Sequence, residues 1–581
     1  MSAFRLNIKL GHLIYLVIFV LAACLRFIHL GNFPLTDDEA LSALSAAQHT
    51  FFASPFFSEH SSNFPQPAYE LLTRLSYQFF GANDASARFI PALAGALLVL
   101  TPLLAQKKLG KGVTLIMAFI LAFSSVFVTS SRTASGAVLS ALGLMTFALA
   151  ILGREDGNER SKAVIRVIGF GLALTCGPQA FTGILILAMS LILWKLVAVL
   201  SRWQVEAESI PWKTMGKFPW LVILAMVAFA TCLGWSIEGL SDFFESFSIW
   251  LMGWRGTSPY VGVTLISMIP IYFPALLLVG LVGIWSALRR RDRSGILVAI
   301  VFCVALLIVF LYPARQPLDL LWIALPLSYL ASGYLVPFIN RVIEANHKPW
   351  IAVMVLILIT FAALAYMQLS SIVADDPQNG SPVVWQSPLV FLVLAASFIF
   401  LFGLGWDWHS AGVSAIIAAS CVTSFLSLSA MWRLNFNASA STAHELWRSH
   451  VASDGLPLLI NTLEATSQMT TGTHAGLPVR LMGQAPHSLE WALREYRVFE
   501  GAMESETSAS PIVLTEEGTA ELTLPADYVG QTIDIGEMWG WNSALPPSFW
   551  KWWVERNPST LSQRWLILVR QDIAFLQEEV G

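Results

Sequence analysis

Three consecutive carboxylates, Asp37-Asp38-Glu39, follow the segment Gly31-Asn32-Phe33-Pro34-Leu35-Thr36, just beyond an apolar run that closes at Arg26. Acids in that place sit where an aqueous substrate meets the head group of a membrane lipid, and one of them can act as a base. Thr36-Asp37-Asp38-Glu39 also fits a capping box, with Thr36 as N-cap and Glu39 reaching back to it. Acids suit the first turn of the helix that continues through Ala40-Leu41-Ser42. Capping accounts for Glu39 and for one aspartate. It does not account for three acids in an almost charge-free neighbourhood beside hydrocarbon, where charges are rare and usually functional. Asp38 is the first choice for the base and Asp37 the second, with Glu39 capping the helix and orienting both. A divalent metal on Asp37, Asp38 and Glu39 is the lesser alternative, and the chemistry requires no cofactor.

A second set consists of arginines that stand nearly alone: Arg74, Arg132, Arg255 and Arg315. A guanidinium offers a fork matched to phosphate oxygens. The competing reading for each is an interfacial anchor that keeps its head in water. Arg132 and Arg315 are the stronger candidates because both lie at the ends of apolar spans. The segment 236–260 carries Glu238, Asp242 and Glu245 among Phe243, Phe244, Phe247, Trp250 and Trp254, and reads as an interfacial helix with an aromatic belt. His60 reads as a surface residue.

The elements that must position these residues are membrane helices. Of 581 residues, 56% are hydrophobic and 12% charged, about half the charged fraction of a soluble protein; the mean hydropathy is +0.64. About thirteen apolar segments between residues 8 and 432 are candidates for spans; the weakest are the short pairs on either side of Arg132 and Pro178. Lys107, Lys108 and Lys111, then Arg154, Arg160 and Lys162, then Arg202, Lys213 and Lys217, then Arg289-Arg290-Arg291-Asp292-Arg293, and finally Arg341 with Lys348 fill alternate connections. The positive-inside rule puts these connections in the cytoplasm. A cell-membrane protein follows, multi-pass, with its N-terminus cytoplasmic and the acidic loop and C-terminal region extracytoplasmic. No nucleic-acid partner is expected. The five cysteines, Cys24, Cys176, Cys232, Cys303 and Cys421, lie in or beside apolar runs, which excludes a disulfide framework in the polar region and offers no zinc spacing.

From about residue 435 the apolar runs shorten to strand length, at 456–460, 477–482, 511–515 and 565–569, with a helical pattern over 488–499. The expected division is a transmembrane domain over 1–434, with its first outer loop at 27–85, and a soluble α/β domain over 435–581. The run 549–557, FWKWWVERN, is expected to pack its aromatics against the membrane domain and roof the acidic loop, with Lys551, Glu555 and Arg556 toward solvent.

The first outer loop resembles that of the GT-C superfamily of integral-membrane glycosyltransferases. The likeness rests on Arg26, Leu30-Gly31, Pro34, Asp38-Glu39-Ala40, Pro67-Ala68-Tyr69, Phe80-Gly81 and the stretch 87–95, ARFIPALAG. It is nearest to the protein O-mannosyltransferase and aminoarabinose-transferase branches and to the flippase-activity-associated group, whose Trp-Tyr-Leu-Arg-Asp-Tyr element Trp491-Ala492-Leu493-Arg494-Glu495-Tyr496 resembles. The resemblance implies about thirteen transmembrane helices with an outer C-terminal domain. It also implies transfer of a sugar from a polyprenyl-phosphate-linked donor to a hydroxyl of an acceptor protein, lipid or glycan. Transfer would be inverting, with Asp38, Asp37 and Glu39 catalytic and Arg132, Arg315, Arg255, Arg74, Pro67 and Tyr69 around the substrates. Two departures stand out: Pro65-Gln66-Pro67 replaces His-Pro-Pro, and Cys176-Gly177-Pro178 replaces Lys-Gly-Pro. The alternative that these departures keep open is a non-catalytic partner or scaffold for lipid-linked glycan translocation.

Overall fold

The computed structural model describes residues 10–47, 65–153, 159–200, 218–344, 348–375, 386–437, 445–501, 510–518 and 524–573; His60 and the expected basic residues Arg202, Lys213 and Lys217 lie outside them. Among the described residues seven helices are long and apolar enough to cross a membrane: Asp84–Leu109, Pro178–Leu200, Arg293–Leu311, Pro317–Ile343, Pro349–Ile372, Pro388–Gly405 and Trp408–Phe436. Two bent pairs bring the number to nine: Lys111–Phe123 with Ser125–Ser131, at 56°, and Gly262–Tyr272 with Pro274–Arg290, at 95°. Leu10–Phe27, Ala137–Leu152, Glu159–Leu174 and Phe218–Ala230 are shorter helices that fall on the remaining expected segments. The chain is a multi-pass helical membrane protein.

The two bends have local causes. Pro274 has no N–H to donate and disfavours the helical region for the residue before it, and Phe273 accordingly sits at φ −137°, ψ 52°. Ser124 is extended at φ −69°, ψ 134°. The breaks meet, since the Ser125 hydroxyl donates to the Tyr272 carbonyl at 2.5 Å. Arg26, fully buried, ties the first helix to its neighbour by donating to the carbonyls of Leu121 at 2.9 Å and Ala122 at 3.3 Å.

The C-terminal region forms one six-stranded sheet: β1 (His450–Ala452), β2 (Val479–Met482), β3 (Val498–Glu500), β4 (Ile512–Glu516), β5 (Tyr528–Trp539) and β6 (Thr560–Arg570). Their order is β1-β5-β6-β4-β2-β3. β2 is parallel to β3 and β4, and the other pairs are antiparallel. Val479, Leu481, Ile512, Leu514, Ile533, Ile535, Trp565 and Ile567 build its core. The expected strand at 456–460 is instead the first part of the helix Gly455–Thr471, whose Leu456, Leu459 and Leu463 are buried at helical spacing. The expected helix at 488–499 is confined to His487–Ala492, after which the chain enters β3.

This region is docked on the membrane helices through its tryptophans. Trp447, Trp541 and Trp552 belong to the same buried cluster as Leu121, Phe127, Tyr272 and Leu320. Trp552 is the buried residue of the helix Phe549–Glu555, and Trp553 meets Tyr366 with ring centroids 5.8 Å apart. The expectation of aromatics facing inward therefore holds for Trp552. Arg556 is a correction: it points inward and pairs with Glu445 at 3.0 Å, because the Trp552 ring, 4.2 Å from its guanidinium carbon, and the carboxylate together replace water.

Candidate functional site at the outer helix and the C-terminal strap

The acidic triplet opens the helix Asp37–Ala47. The Thr36 amide donates to Glu39 Oε2 at 3.1 Å and the Glu39 amide to Thr36 Oγ1 at 3.4 Å, which is the expected capping box. Glu39 does more than cap. Arg88 donates to it through Nε at 2.8 Å and Nη2 at 2.7 Å, and the Ala134 amide adds a bond at 3.0 Å. Arg88 also donates to the carbonyls of Leu30, Phe33 and Pro34, so one buried guanidinium fixes the turn that carries the aspartates. Burial by itself would raise the Glu39 carboxyl; Arg88 outweighs it and holds Glu39 at about 2.

Asp37 and Asp38 have different surroundings. Asp37 Oδ1 accepts the Ser488 amide at 3.0 Å, so this aspartate helps to seat the helix His487–Ala492 on the outer loop. Trp491 Nε1 to Asp84 at 2.7 Å and Arg494 Nε to the Ala82 carbonyl at 2.9 Å complete that seat. The Asp38 carboxylate takes no hydrogen bond among the described residues and opens on a cavity of about 460 Å³. The carboxylate is reachable from the cavity yet surrounded by protein on its other sides. That burial, and then the Asp37 charge, raise it above the ordinary carboxylate range; His450 and His487 pull it back in part.

The cavity wall combines both parts of the chain. The membrane helices give Gln179, Gln316 and Tyr260, and the C-terminal region gives Arg448, His450 and His487. Residues 445–450 form a strap held by two tyrosine hydroxyls. Tyr272 Oη accepts the Leu446 amide at 2.8 Å and donates to Glu445 Oε2 at 2.8 Å. Tyr260 Oη accepts the Ser449 amide at 3.0 Å and donates to the Trp447 carbonyl at 3.2 Å.

The remaining sequence candidates lie away from the cavity wall. Arg132 Nη1 and Nη2 donate to the carbonyls of Leu25, Arg26, Ile28, His29 and Asn435, closing the end of the first helix, and its guanidinium stacks on Phe436 at 4.8 Å. Arg315 donates Nε to the Tyr312 carbonyl at 2.6 Å. Arg255 is exposed. Arg74 pairs with Glu70 at 3.7 Å on the helix Pro67–Phe80. Pro67 opens that helix, and Tyr69, fully buried, donates to the Ala87 carbonyl at 3.1 Å.

Sequence reasoning missed Arg88, Gln66, Arg448, His450 and His487. Gln66 had a signal, because it stands in one of the two departures from the GT-C pattern. Its Nε2 donates to Ser42 at 3.0 Å, its Oε1 accepts the Gly136 amide at 2.5 Å, and its own amide donates to Glu70 at 2.6 Å. Gly177, at φ +99°, lies so close that a Cβ there would stand 2.7 Å from Gln66 Cγ. Gln66 and Gly177 thus form one packed arrangement that braces the acidic helix. Glu39 is committed to Arg88, and Asp37 Oδ1 to the Ser488 amide. Among the described residues no group of three or more histidine, cysteine or acidic side chains is arranged to hold a metal ion.

The whole architecture is similar to ArnT from Cupriavidus metallidurans. The likeness to ArnT bound to undecaprenyl phosphate has a TM-score of 0.56 at 14% identity, covering 96% of this chain and 98% of that one. At that identity the likeness shows a shared fold. ArnT in the apo state gives 0.55 at 13% identity, with the same coverage. The oligosaccharyltransferase AglB from Archaeoglobus fulgidus, in complex with an inhibitory peptide and a dolichol-phosphate, aligns at 0.42 and 12% identity, over 89% of this chain and 70% of that one. No family model and no curated protein sequence matches the chain. Within this fold, the cavity at Asp38 lies between the loops that join the membrane helices and the docked C-terminal region.

Proposed function

We propose that this chain is a glycosyltransferase that moves a sugar from a polyprenyl-phosphate-linked donor to an acceptor hydroxyl, with inversion, at the outer face of the membrane. The observation that carries the reading is Asp38, a carboxylate open to a cavity and held there by a neighbour, Glu39, that is committed to structure. In the proposed step the acceptor oxygen attacks the anomeric carbon and its proton passes to Asp38. The bond from that carbon to the phosphate oxygen breaks, and the carrier leaves as polyprenyl phosphate. A carboxyl raised by burial is a stronger base than an exposed one, and a positioned base contributes about 10²–10⁴-fold. Phosphate needs no proton to leave, so one carboxylate suffices.

The outer-face assignment is supported by where the basic residues fall. The helix Asp84–Leu109 begins beside the cavity, where Asp84 meets Trp491, and ends at Lys107 and Lys108. Its 26 residues put those lysines about 39 Å away. Arg289 and Arg290 likewise end the helix that starts at Pro274.

The test is Asp38→Asn in membranes supplied with a panel of radiolabelled polyprenyl-phosphate sugars. Transfer should fall about 10²–10⁴-fold with the thermal unfolding temperature unchanged. Full transfer by this variant would remove Asp38 from the reaction. A wild-type protein that binds carrier lipid but turns over no donor would favour the scaffold reading.

A further inference from the structure

We propose that Arg448, carried on the strap between the last membrane helix and the C-terminal sheet, is the residue that binds the phosphate of the carrier lipid in the Asp38 cavity. The inference deepens the function proposed above and rests on it.

The deeply placed arginines of this molecule separate into two kinds. Arg26 is bonded to the carbonyls of Ala22, Leu121 and Ala122. Arg88 is bonded to Glu39 and three carbonyls, Arg132 to a set of carbonyls, and Arg556 to Glu445. Each has a terminal guanidinium nitrogen bonded to the protein, although Nε of Arg26 and of Arg556 has no partner among the described residues. Arg448 lines the cavity, and its guanidinium has neither a hydrogen bond nor an ion pair among the described residues. The charges nearest to it in effect are Glu39 and Arg88, and these oppose one another. Because those two are already joined at 2.7 Å, they present Arg448 with a nearly neutral pair. A cation set deep in protein without a counter-charge is costly. An anion entering the cavity would remove that cost.

The strap shows that the position is built. Two tyrosine hydroxyls, each bonded twice, fix the backbone on both sides of residue 448, and Glu445 is further held by Arg556. Arg448 is therefore presented from a rigid backbone, as a site that must meet a ligand in one geometry requires. Its fork matches two phosphate oxygens. The carboxylates on the outer helix would repel a phosphate, so a cation must be supplied within the same cavity for one to approach Asp38. Among the residues lining the cavity, Arg448 is the sole arginine or lysine. The C-terminal region then completes the binding site as well as covering it.

The full-length protein in nanodiscs should be titrated with undecaprenyl phosphate, with undecaprenol, which lacks the phosphate, and with inorganic phosphate, reading the ligand-induced shift of thermal unfolding and the apparent affinity. Wild type should prefer undecaprenyl phosphate to undecaprenol at least tenfold. Arg448→Gln should erase that preference while binding undecaprenol as before, and Arg448→Lys, which keeps the charge without the fork, should retain only part of it. If Arg448→Gln does not fold, Arg448→Lys decides, and a preference equal to wild type would overturn the assignment. Wild-type preference retained in full by a folded Arg448→Gln would overturn the role of Arg448 and leave the glycosyltransferase reading intact. No wild-type preference at all would overturn both. Saturation by inorganic phosphate at the same concentration as the lipid would overturn the carrier-lipid assignment in favour of a free anion.

Discussion

On the helix Asp37–Ala47, Glu39 gives both oxygens to Arg88 and its other contacts, so the positive and negative groups cancel before any ligand arrives. On the strap, by contrast, neutral tyrosine hydroxyls hold the backbone and leave the Arg448 charge open to the cavity. The two walls meet the same cavity, yet on one the arginine is bound into an ion pair that places a carboxylate, while on the other the ion pair is made by Glu445 and Arg556 and the Arg448 guanidinium is left unbonded among the described residues. The contrast teaches that the number of charges near a site says little; which charges are already satisfied decides what the site can do. Segments 451 residues apart in sequence meet here, as the bond from Ser488 to Asp37 shows.

The largest effect should come from breaking the ionic wall. Arg88→Met leaves Glu39 buried and uncompensated, and should lower the unfolding free energy by about 3–5 kcal/mol. The double variant Arg88→Met with Glu39→Leu should recover most of that loss in the same denaturation measurement. Failure to recover would mean that the carbonyl bonds of Arg88, and not the ion pair, hold the turn. A smaller effect is expected at the strap. Tyr272→Phe removes the partner of the Leu446 amide and one partner of Glu445, and should cost about 1–3 kcal/mol while weakening undecaprenyl-phosphate binding. Unchanged binding would show that the strap needs no such bond to present Arg448.

The smallest and most diagnostic effect concerns pH. The bond from His487 to Glu490, and after it the charges of Asp37 and Asp38, raise His487 above its ordinary value. A raised histidine contributes stability that is complete below the unfolded value of about 6.5 and is lost as pH rises through the folded value. Asp38, also raised, contributes with the same sign. The unfolding temperature should therefore fall from about pH 6.5 upward, and His487→Gln should flatten part of that slope. An unaltered slope would mean that His487 does not couple to the aspartates.

Much of this arrangement was legible in the chain, and the failures have physical causes. The capping box was readable because Thr36 and Glu39 are local, three residues apart. The membrane class and the inward Trp552 followed from hydrophobicity alone. Arg88 was hidden because its partner lies 49 residues away, in a loop whose path no spacing reveals. The run 456–460 is five apolar residues, too short to distinguish strand from helix; Leu463, Thr466 and Ser467 continue its buried face at helical spacing. β5 was missed because Gln531, Thr532, Asp534 and Glu537 dilute its alternation, leaving Ile533, Ile535 and Gly536 as its buried residues. Arg132 was favoured for standing at a span end, the very place where a guanidinium meets the unpaired carbonyls of a helix terminus.

The position of Trp552 in the buried cluster of the membrane helices also sets a timetable for synthesis. The last of those helices ends at Phe436, and the tryptophan that packs with them is made much later. At ordinary elongation rates the interval is on the order of ten seconds. Throughout it, the nascent helices carry an uncovered socket where Trp552 will pack. A ribosome stalled in that window would leave a protein inserted in the membrane but unfinished, and therefore a target for proteolysis before it could ever meet its lipid.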